Sequence, residues 1–260
     1  MSRIRQGALL DRLADNSSPI VTLTHDYPAG RVIPLHFHDR DQLVYASRGV
    51  MTVRTSTGTW VVPTHRAVWI PETLPHTITM SGTVAMRTLY LKARLVRALP
   101  RDCCVLNVSP LLNSLILHVC SCGTLRTRVA WQRHLIDVTV DQLKAIQRVP
   151  LQLPNPLDPR ALRVARALQT DPGGRQPLDR VCRASGASAR TVERLFLDET
   201  GITLGKWRQQ LRLMKAMCVL GEGAKVTHAA LEAGYSTPSA FIAAFRRSLG
   251  TSPMLYLKKL

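Results

Sequence analysis

Three histidines have the residue type and the spacing to form one binding site. His36 and His38 lie two positions apart, so a β-strand would direct both imidazoles to the same face. Gln42 follows soon after them, and His76 comes later in the chain. A neutral imidazole nitrogen is a common ligand for divalent metals, and it also suits the wall of a binding pocket as a polar group. This pattern predicts a site for a metal ion or a small molecule.

The sequence leaves three interpretations of these histidines open. They line a pocket as polar groups, they hold a metal that helps to bind an effector, or they form the centre of a metal-dependent enzyme. Tyr45, Trp60 and Trp69 are candidate effector-binding residues beside them, although their size suits an ordinary core equally well.

A second group of candidate functional residues lies on a short helix predicted in the segment 178–199. Cys182 supplies a small residue where two helices meet, Gly186 follows at a turn, and Ser188 is a suitable N-cap for the next helix. The side of that helix away from its apolar residues carries Arg190, Glu193 and Arg194. Such groups reach base edges and phosphates in a major groove, so the pattern predicts a helix-turn-helix unit.

A similar unit follows toward the C-terminus. Ala230 and Gly234 repeat the interval between the small residue and the glycine, and Phe241 and Phe245 give the second helix of the unit its buried side. The amphipathic segment 204–220 connects the two units. Two such units on one connecting helix can enter successive major grooves of duplex DNA, about 34 Å apart.

The net charge favours a polyanionic partner. The chain has 35 Lys and Arg against 17 Asp and Glu, a formal net charge of +18. DNA, RNA and an anionic membrane all attract such a chain, and the motifs rather than the charge favour double-stranded DNA. No apolar run approaches the roughly 20 residues of a membrane span, and no secretory cleavage site follows the N-terminus, so we expect a cytoplasmic protein without a membrane partner.

Two kinds of secondary structure must position these groups. Residues 20–100 are rich in Thr, Val, Tyr and Ile with turns at short intervals, which predicts a small barrel or sandwich. Apolar residues at helical spacing predict two helices within 109–148. Prolines concentrated in 149–159 predict an extended linker, which short capped helices follow.

In a chain of this length, the positions of the six cysteines predict reduced thiols rather than a disulfide framework. Four of the six lie close together in sequence, namely Cys103, Cys104, Cys120 and Cys122. They lack the Cys-x-x-Cys spacing of common zinc sites, which favours packing as small apolar residues over a metal or redox role.

The C-terminal part carries a motif of good specificity, formed by Phe241, Phe245, Gly250, Ser252, Pro253 and Tyr256. It closely resembles the signature of the AraC/XylS family of transcription regulators, and the similarity extends over about residues 160–258. The resemblance implies that the helices starting near Ala189 and Pro238 face DNA. The positions that it assigns to base contacts in the first of these helices are Arg190, Glu193 and Arg194.

The second of these helices departs from a base-reading helix. Its outward positions are Pro238, Ser239, Ala240 and Ala243. Of these, Ser239 alone has a side chain that hydrogen-bonds a base, so we expect the helix to bind phosphates more than to read sequence. The side chains available for phosphate contacts are Thr237, Arg246 and Arg247.

The histidines carry a second resemblance. The segments that contain His36, His38, Gln42 and His76 resemble the two motifs of cupin barrels, in which a His-x-His pair, an acid and a later histidine bind a divalent metal. Here Gln42 replaces the acid. The resemblance implies a cupin-like barrel that binds a small effector, and a possible divalent metal at these four residues.

The predicted fold has two domains: an all-β cupin-like barrel followed by helices, and an all-α domain with two helix-turn-helix units. The predicted boundaries are 1–105 for the effector-binding barrel, 106–149 for a helical linker or dimerisation segment, 150–159 for a proline-rich linker, and 160–260 for the DNA-binding domain, with helix-turn-helix units at about 178–199 and 226–249.

The predicted function is sequence-specific regulation of transcription, as activator or repressor, modulated by a small molecule bound in the barrel. Expected partners are double-stranded DNA, the effector, RNA polymerase and a second copy of the chain. The arrangement resembles regulators of neighbouring transporter or catabolic genes. Two alternatives stay open: a metal-dependent cupin enzyme with a helical appendage, such as a dioxygenase or isomerase, and a basic RNA-binding or structural protein.

Overall fold

The structure is a computed structural model that describes residues 18–149, 151–174 and 176–257. The chain divides into two compact units. Residues 18–53 and 62–149 belong to the first unit, and residues 54–61 and 151–257 belong to the second. The ends of the predicted first and last domains, residues 1–17 and 258–260, lie outside the described residues.

Nine strands are found in the described residues. They are β1 (Ile20–Tyr27), β2 (Val32–His36), β3 (Asp41–Arg54), β4 (Gly58–Val62), β5 (Arg66–Ile70), β6 (His76–Leu91), β7 (Cys104–Asn107), β8 (Arg148–Val149) and β9 (Gln152–Pro154). In the first unit the strand order is β1-β6-β3-β5-β7-β8, and β2 also pairs with β6. β1 and β2 both pair with β6 in antiparallel register.

The long strand β6 brings distant segments together. Its first half pairs with β2 and its second half with β1. The β2–β6 register shifts between Ile33 and His36, a local irregularity of the bulge type, and after this shift His36 lies opposite His76. The bulge thus places two of the predicted site residues across from each other.

Two helices cover one face of this sheet. They are α1 (Pro110–Cys122) and α2 (Ala130–Lys144), and both fall within the predicted range. The N-cap of α1 is Ser109, whose side chain accepts a hydrogen bond from the backbone N–H of Leu112 at 3.1 Å. The buried faces of α1 and α2 pack in one apolar cluster with Tyr45 and Trp69 of the sheet.

The second unit is mainly helical. Its helices are α3 (Pro159–Thr170), α4 (Leu178–Ala184), α5 (Ala189–Thr200), α6 (Leu204–Gly221), α7 (Val226–Glu232), α8 (Pro238–Leu249) and α9 (Pro253–Leu257). The long helix α6 buries Trp207, whose indole N–H donates to the carbonyl of Pro154 at 2.7 Å. Within the proline-rich segment, strand β9 pairs with β4 in antiparallel register.

The structure confirms the predicted fold class, an antiparallel sheet-rich N-terminal part followed by a helical part with helix-turn-helix units. No helix within the described ranges is both long enough and apolar enough to cross a membrane.

Candidate DNA-binding and effector sites

The first helix-turn-helix unit consists of α4, a tight turn and α5. Cys182 is fully buried where the helices meet, and its carbonyl accepts a hydrogen bond from the backbone N–H of Ala187 at 3.2 Å. Gly186 adopts φ +83°, a left-handed conformation that glycine adopts without strain. The side chain of Ser188 then caps α5 by accepting from the backbone N–H of Thr191 at 3.2 Å.

The second unit, α7 and α8, repeats this construction. Ala230 is fully buried, and its carbonyl accepts from the backbone N–H of Tyr235 at 3.0 Å. Gly234 adopts φ +78°. The side chain of Thr237 caps α8 by accepting from the backbone N–H of Ala240 at 3.1 Å. Because α5 and α8 each have 12 residues and an equivalent cap, the structure presents two matched helices.

Aromatic packing holds the inner faces of both helices. Phe196 of α5 meets Trp207 with ring centroids 5.4 Å apart in an edge-to-face arrangement. In α8, Phe245 lies 5.6 Å from Phe241 and 5.3 Å from Tyr256, again edge to face. Such pairs add about 0.5–1.5 kcal/mol beyond the burial of their area, so each helix is fixed by its buried face.

The outer faces of the two helices differ. On α5, Arg190, Glu193 and Arg194 are exposed, and no hydrogen bond or ion pair ties their side chains to another described residue. Ala189 is half-buried at the start of the helix. On α8 the exposed positions are Ser239, Ala240, Ala243, Arg246, Arg247 and Ser248; its N-cap Thr237 is also exposed, and Pro238 is half-buried. Polar side chains thus lie along the outer face of α5, whereas on α8 they lie only near the two ends of the helix.

The three histidines meet in the first unit. One nitrogen from each of His36, His38 and His76 lies within 4.8 Å of the others. The ring centroids of His36 and His76 are 4.3 Å apart, and those of His36 and His38 are 4.8 Å apart. Among the described residues this is the one group of three or more His, Cys, Asp or Glu side chains with that proximity.

Backbone carbonyls orient two of these imidazoles. Nδ1 of His36 donates to the carbonyl of Pro34 at 2.7 Å, and Nδ1 of His76 donates to the carbonyl of Leu74 at 2.9 Å. A carbonyl only accepts, so these bonds place the proton on Nδ1 and the lone pair on Nε2. Nε2 of His38 and Nε2 of His76 are buried without a hydrogen-bond partner in the described residues. This donor set fits a divalent transition metal.

Burial keeps the cluster neutral. Burial, together with the neighbouring His36 and His76, lowers the pKa of His38 to about 3. Burial also lowers the pKa of His76 to about 4, and it lowers the pKa of His36. Imidazoles in this state have lone pairs available for a ligand at neutral pH.

Tyr90 is a site residue that sequence reasoning missed. Its ring packs against His38 with centroids 4.9 Å apart, and its hydroxyl accepts a hydrogen bond from the side-chain amide of Gln42 at 3.2 Å. This bond leaves Oε1 of Gln42 buried without a partner in the described residues. Gln42 thus joins the histidines through Tyr90, and no spacing in the sequence signals that link.

Comparisons with known proteins match both parts of the chain. Residues 181–259 match the model of a helix-turn-helix domain, and residues 18–123 match the model of an AraC-like ligand binding domain. The HTH-type transcriptional regulator NimR of Escherichia coli (strain K12) is 31% identical over 227 residues, which cover 87% of this chain and 83% of NimR. The chain belongs to the AraC family of transcription regulators. Its named relatives are regulators and not enzymes, as predicted.

Other similarities of the regulator are partial in coverage or low in identity. The HTH-type transcriptional regulator RipA of Corynebacterium glutamicum is 32% identical over 42% of this chain and 33% of RipA. Fatty-acid-bound ToxT from Vibrio cholerae aligns over 94% of this chain and 96% of ToxT at 12% identity, with a TM-score of 0.40. The DNA-binding domain of AdpA, solved with a target DNA, aligns over 39% of this chain and 92% of that domain at 30% identity, with a TM-score of 0.36.

Within the first unit, the structure does not bring Tyr45 and Trp69 to the histidines of the regulator. Tyr45 lies three positions after Gln42 in β3, so it points to the opposite face, where its hydroxyl donates to Oδ1 of Asn113 at 2.7 Å. Trp69 lies in the same cluster and donates to the carbonyl of Pro100 at 2.9 Å. Trp60 is buried on β4 in the second unit. Their roles in effector binding stay predictions.

Proposed function

We propose that this regulator reads its operator mainly through α5 and holds the DNA backbone with α8. The observation that carries the proposal is the contrast between two helices of equal length and equal caps. On α5, Arg190 and Arg194 can each donate two hydrogen bonds to a guanine, and Glu193 can accept from a cytosine amino group. On α8, Ser239 stands among alanines, which leaves little capacity to distinguish bases.

Phosphate contacts from α8 would then set the register of the complex. Arg246 and Arg247 are exposed in its last turn, and Thr237 lies at its N-cap. Contacts of this kind position a protein on the duplex without specifying sequence. The two helices are otherwise built alike, so their different proposed roles follow from the chemistry of their exposed side chains.

A small-molecule effector bound beside the histidines modulates this activity. Tyr90 packs with Val21 and Leu23, so an apolar wall adjoins the polar cluster. A site of this composition suits a small ligand whose few polar groups fix its orientation. The effector acts by binding one conformation of the regulator more tightly than the other.

The regulator is proposed to act as a homodimer that contacts RNA polymerase in the cytoplasm. Leu111 on α1 and Trp131 on α2 are each 53% exposed, which suits burial in a dimer formed by residues 106–149. The barrel would span residues 1–105, and a linker at 150–159 would precede the DNA-binding domain at 160–260. Control of a neighbouring transporter or catabolic gene fits this arrangement.

DNA retention followed by gel shifts tests the proposal. Fragments retained by the purified protein are sequenced, and the enriched duplex is compared with a scrambled duplex. We expect the triple variant Arg190→Ala, Glu193→Ala, Arg194→Ala to lose the preference for the enriched duplex. The control Arg166→Ala changes an exposed arginine of α3 and should keep the preference. Unchanged discrimination by the triple variant would overturn the assignment of α5.

A further inference from the structure

We propose that residues 54–61 and 152–158 together form a strap that holds the base-reading helix α5 in position, with Glu199 and Trp207 as its positioning residues. These two residues act on DNA recognition through α5, without a contact of their own to DNA. The proposal rests on the proposed function, in which α5 reads the operator. It adds that sequence preference depends on residues 54–61, which continue at both ends into strands of the first unit.

The carboxylate of Glu199 attaches the last turn of α5 to the start of α3. Its Oε2 accepts hydrogen bonds from the backbone N–H groups of Leu157 and Asp158, at 2.6 and 3.0 Å. Both N–H groups stand at the N-terminal end of α3, where the helix supplies no carbonyl to accept from them. One carboxylate thus satisfies two backbone donors and complements the positive end of the helix dipole, which favours a single position of α5 against the strap.

Trp207 makes a second connection between the strap and α5. Its indole is fully buried and donates a hydrogen bond to the carbonyl of Pro154 at 2.7 Å, while its ring meets Phe196 of α5 edge to face. Phe196 is fully buried as well, so a displacement of residue 154 moves this pair of rings or breaks the bond. Phe196 and Glu199 are three positions apart, so both connections reach neighbouring points on α5.

The N-terminal part of the strap holds β9 from the other side. β4 and β9 pair in antiparallel register, with Gly58 opposite Pro154. Asn155 continues the pairing beyond β9: its backbone N–H donates to the carbonyl of Thr57 at 2.9 Å, and its side-chain amide donates to the carbonyl of Ser56 at 3.1 Å. The segment that contacts Trp207 is therefore also bonded to the turn before β4.

Gly58 permits this close approach of β4 and β9. A Cβ at position 58 would stand 2.8 Å from the carbonyl oxygen of Leu153 and 3.4 Å from Cα of Pro154. The side chain of Leu153 is fully buried, so its backbone cannot shift without disturbing the packing around it. An alanine at position 58 thus displaces β9, and with it the carbonyl that Trp207 uses.

The ratio of affinities for the enriched and the scrambled duplex tests Glu199 in the full-length protein. Partial unfolding weakens binding to both duplexes by the same factor, so a merely structural defect leaves the ratio unchanged. We expect Glu199→Ala to lower the ratio roughly fivefold, because α5 loses its preorganised position. In Glu199→Gln an amide oxygen still accepts from the two N–H groups, and the ratio should stay within about twofold of the wild type.

Asp198→Ala is the matched control for Glu199→Ala. It removes the adjacent carboxylate of α5, which is exposed and has neither a hydrogen bond nor an ion pair within the described ranges. Both variants lose one negative charge at the same end of the helix, so they change the long-range attraction to DNA alike. We expect the control to keep the wild-type ratio, and equal ratios in the two variants would overturn the role of Glu199.

Trp207→Phe separates the hydrogen bond of Trp207 from its aromatic packing. A phenylalanine keeps a ring beside Phe196 but has no N–H to donate to the carbonyl of Pro154. We expect the affinity ratio to fall roughly threefold. A wild-type ratio in this variant would overturn the role of Trp207.

Gly58→Ala tests the N-terminal part of the strap, and we expect it to lower the affinity ratio roughly threefold. Gly205 on α6 has open space around it, so the control Gly205→Ala should keep the ratio. A wild-type ratio in Gly58→Ala would overturn the role of residues 54–61. If the triple variant of α5 keeps its preference for the enriched duplex, the proposed function fails; if it loses that preference while Glu199→Ala keeps it, the strap alone fails.

Discussion

The backbone of Gly234 lies directly against the backbone of Gly173: a Cβ on Gly234 would stand 2.7 Å from Cα of Gly173. Gly234 also has φ +78°, so two independent constraints act at the turn of the second helix-turn-helix unit. The loop before α4 and the turn before α8 are thereby in backbone contact within one unit.

Substitution of this glycine should therefore cost more than left-handed strain alone. We expect Gly234→Ala to lower the free energy of unfolding by at least about 2 kcal/mol, because the strain and the overlap with Gly173 add. Gly201 has φ +71° with open space around it, so Gly201→Ala should cost only about 1 kcal/mol. Urea unfolding followed by circular dichroism measures both, and equal losses would show that the contact with Gly173 carries no energy.

The two N-caps should contribute similar stability. We expect Ser188→Ala and Thr237→Ala each to reduce the free energy of unfolding by about 1 kcal/mol, because each leaves a backbone N–H at the helix start without its partner. Ser248 is exposed inside α8 and serves as the control, with an expected change within about 0.5 kcal/mol on substitution by alanine. If the cap variants lost no more stability than the control, the capping hydrogen bonds would contribute nothing measurable to the free energy of unfolding.

Substitutions of phosphate-binding and of base-reading residues should differ in their effect on the salt dependence of DNA binding. We expect Arg246→Ala and Arg247→Ala each to weaken binding to enriched and scrambled duplexes alike, and to reduce the slope of log K against log salt by about 1. Arg194→Ala should instead reduce the ratio of the two affinities. Fluorescence anisotropy at several salt concentrations gives both quantities. Loss of sequence preference in Arg246→Ala would contradict the proposed role of α8.

Three buried or half-buried thiols should resist alkylation in the folded protein. Burial raises the pKa of Cys104 and of Cys120 to about 11, and it raises the pKa of Cys103 as well. At pH 8 a thiol with a pKa of 11 is thiolate in about one molecule in a thousand, whereas an unperturbed thiol is thiolate in roughly a quarter. We expect iodoacetamide labelling of these three to be at least tenfold slower in buffer than in urea, as read by peptide mass spectrometry.

Fast labelling of Cys103 in the folded protein would contradict its burial. It would also reopen the metal or redox role that the clustered cysteines left possible from sequence. Cys104 belongs to the apolar cluster of the first unit, and Cys120 and Cys122 pack against that cluster.

The sequence alone determined the local features of the helical unit. A small buried residue, a glycine and an N-cap within a few positions specify a helix-turn-helix, because each acts through contacts between neighbours in the chain. The structure confirms Cys182, Gly186 and Ser188 in these structural roles, and their counterparts in the second unit. The exposure of Arg190 and Arg194 likewise follows from helical period alone.

Only the tertiary structure decided how the histidine cluster is assembled. The bond from Gln42 to Tyr90 joins residues 48 positions apart, and the bulge in β2 sets His36 opposite His76. Strand partners and register depend on contacts distant in sequence, so residue spacing cannot specify them. Side chains alternate along β3, so the sequence was enough to place Tyr45 and Gln42, three residues apart, on opposite faces of the strand. Only the folded sheet showed which of the two faces adjoins the histidines.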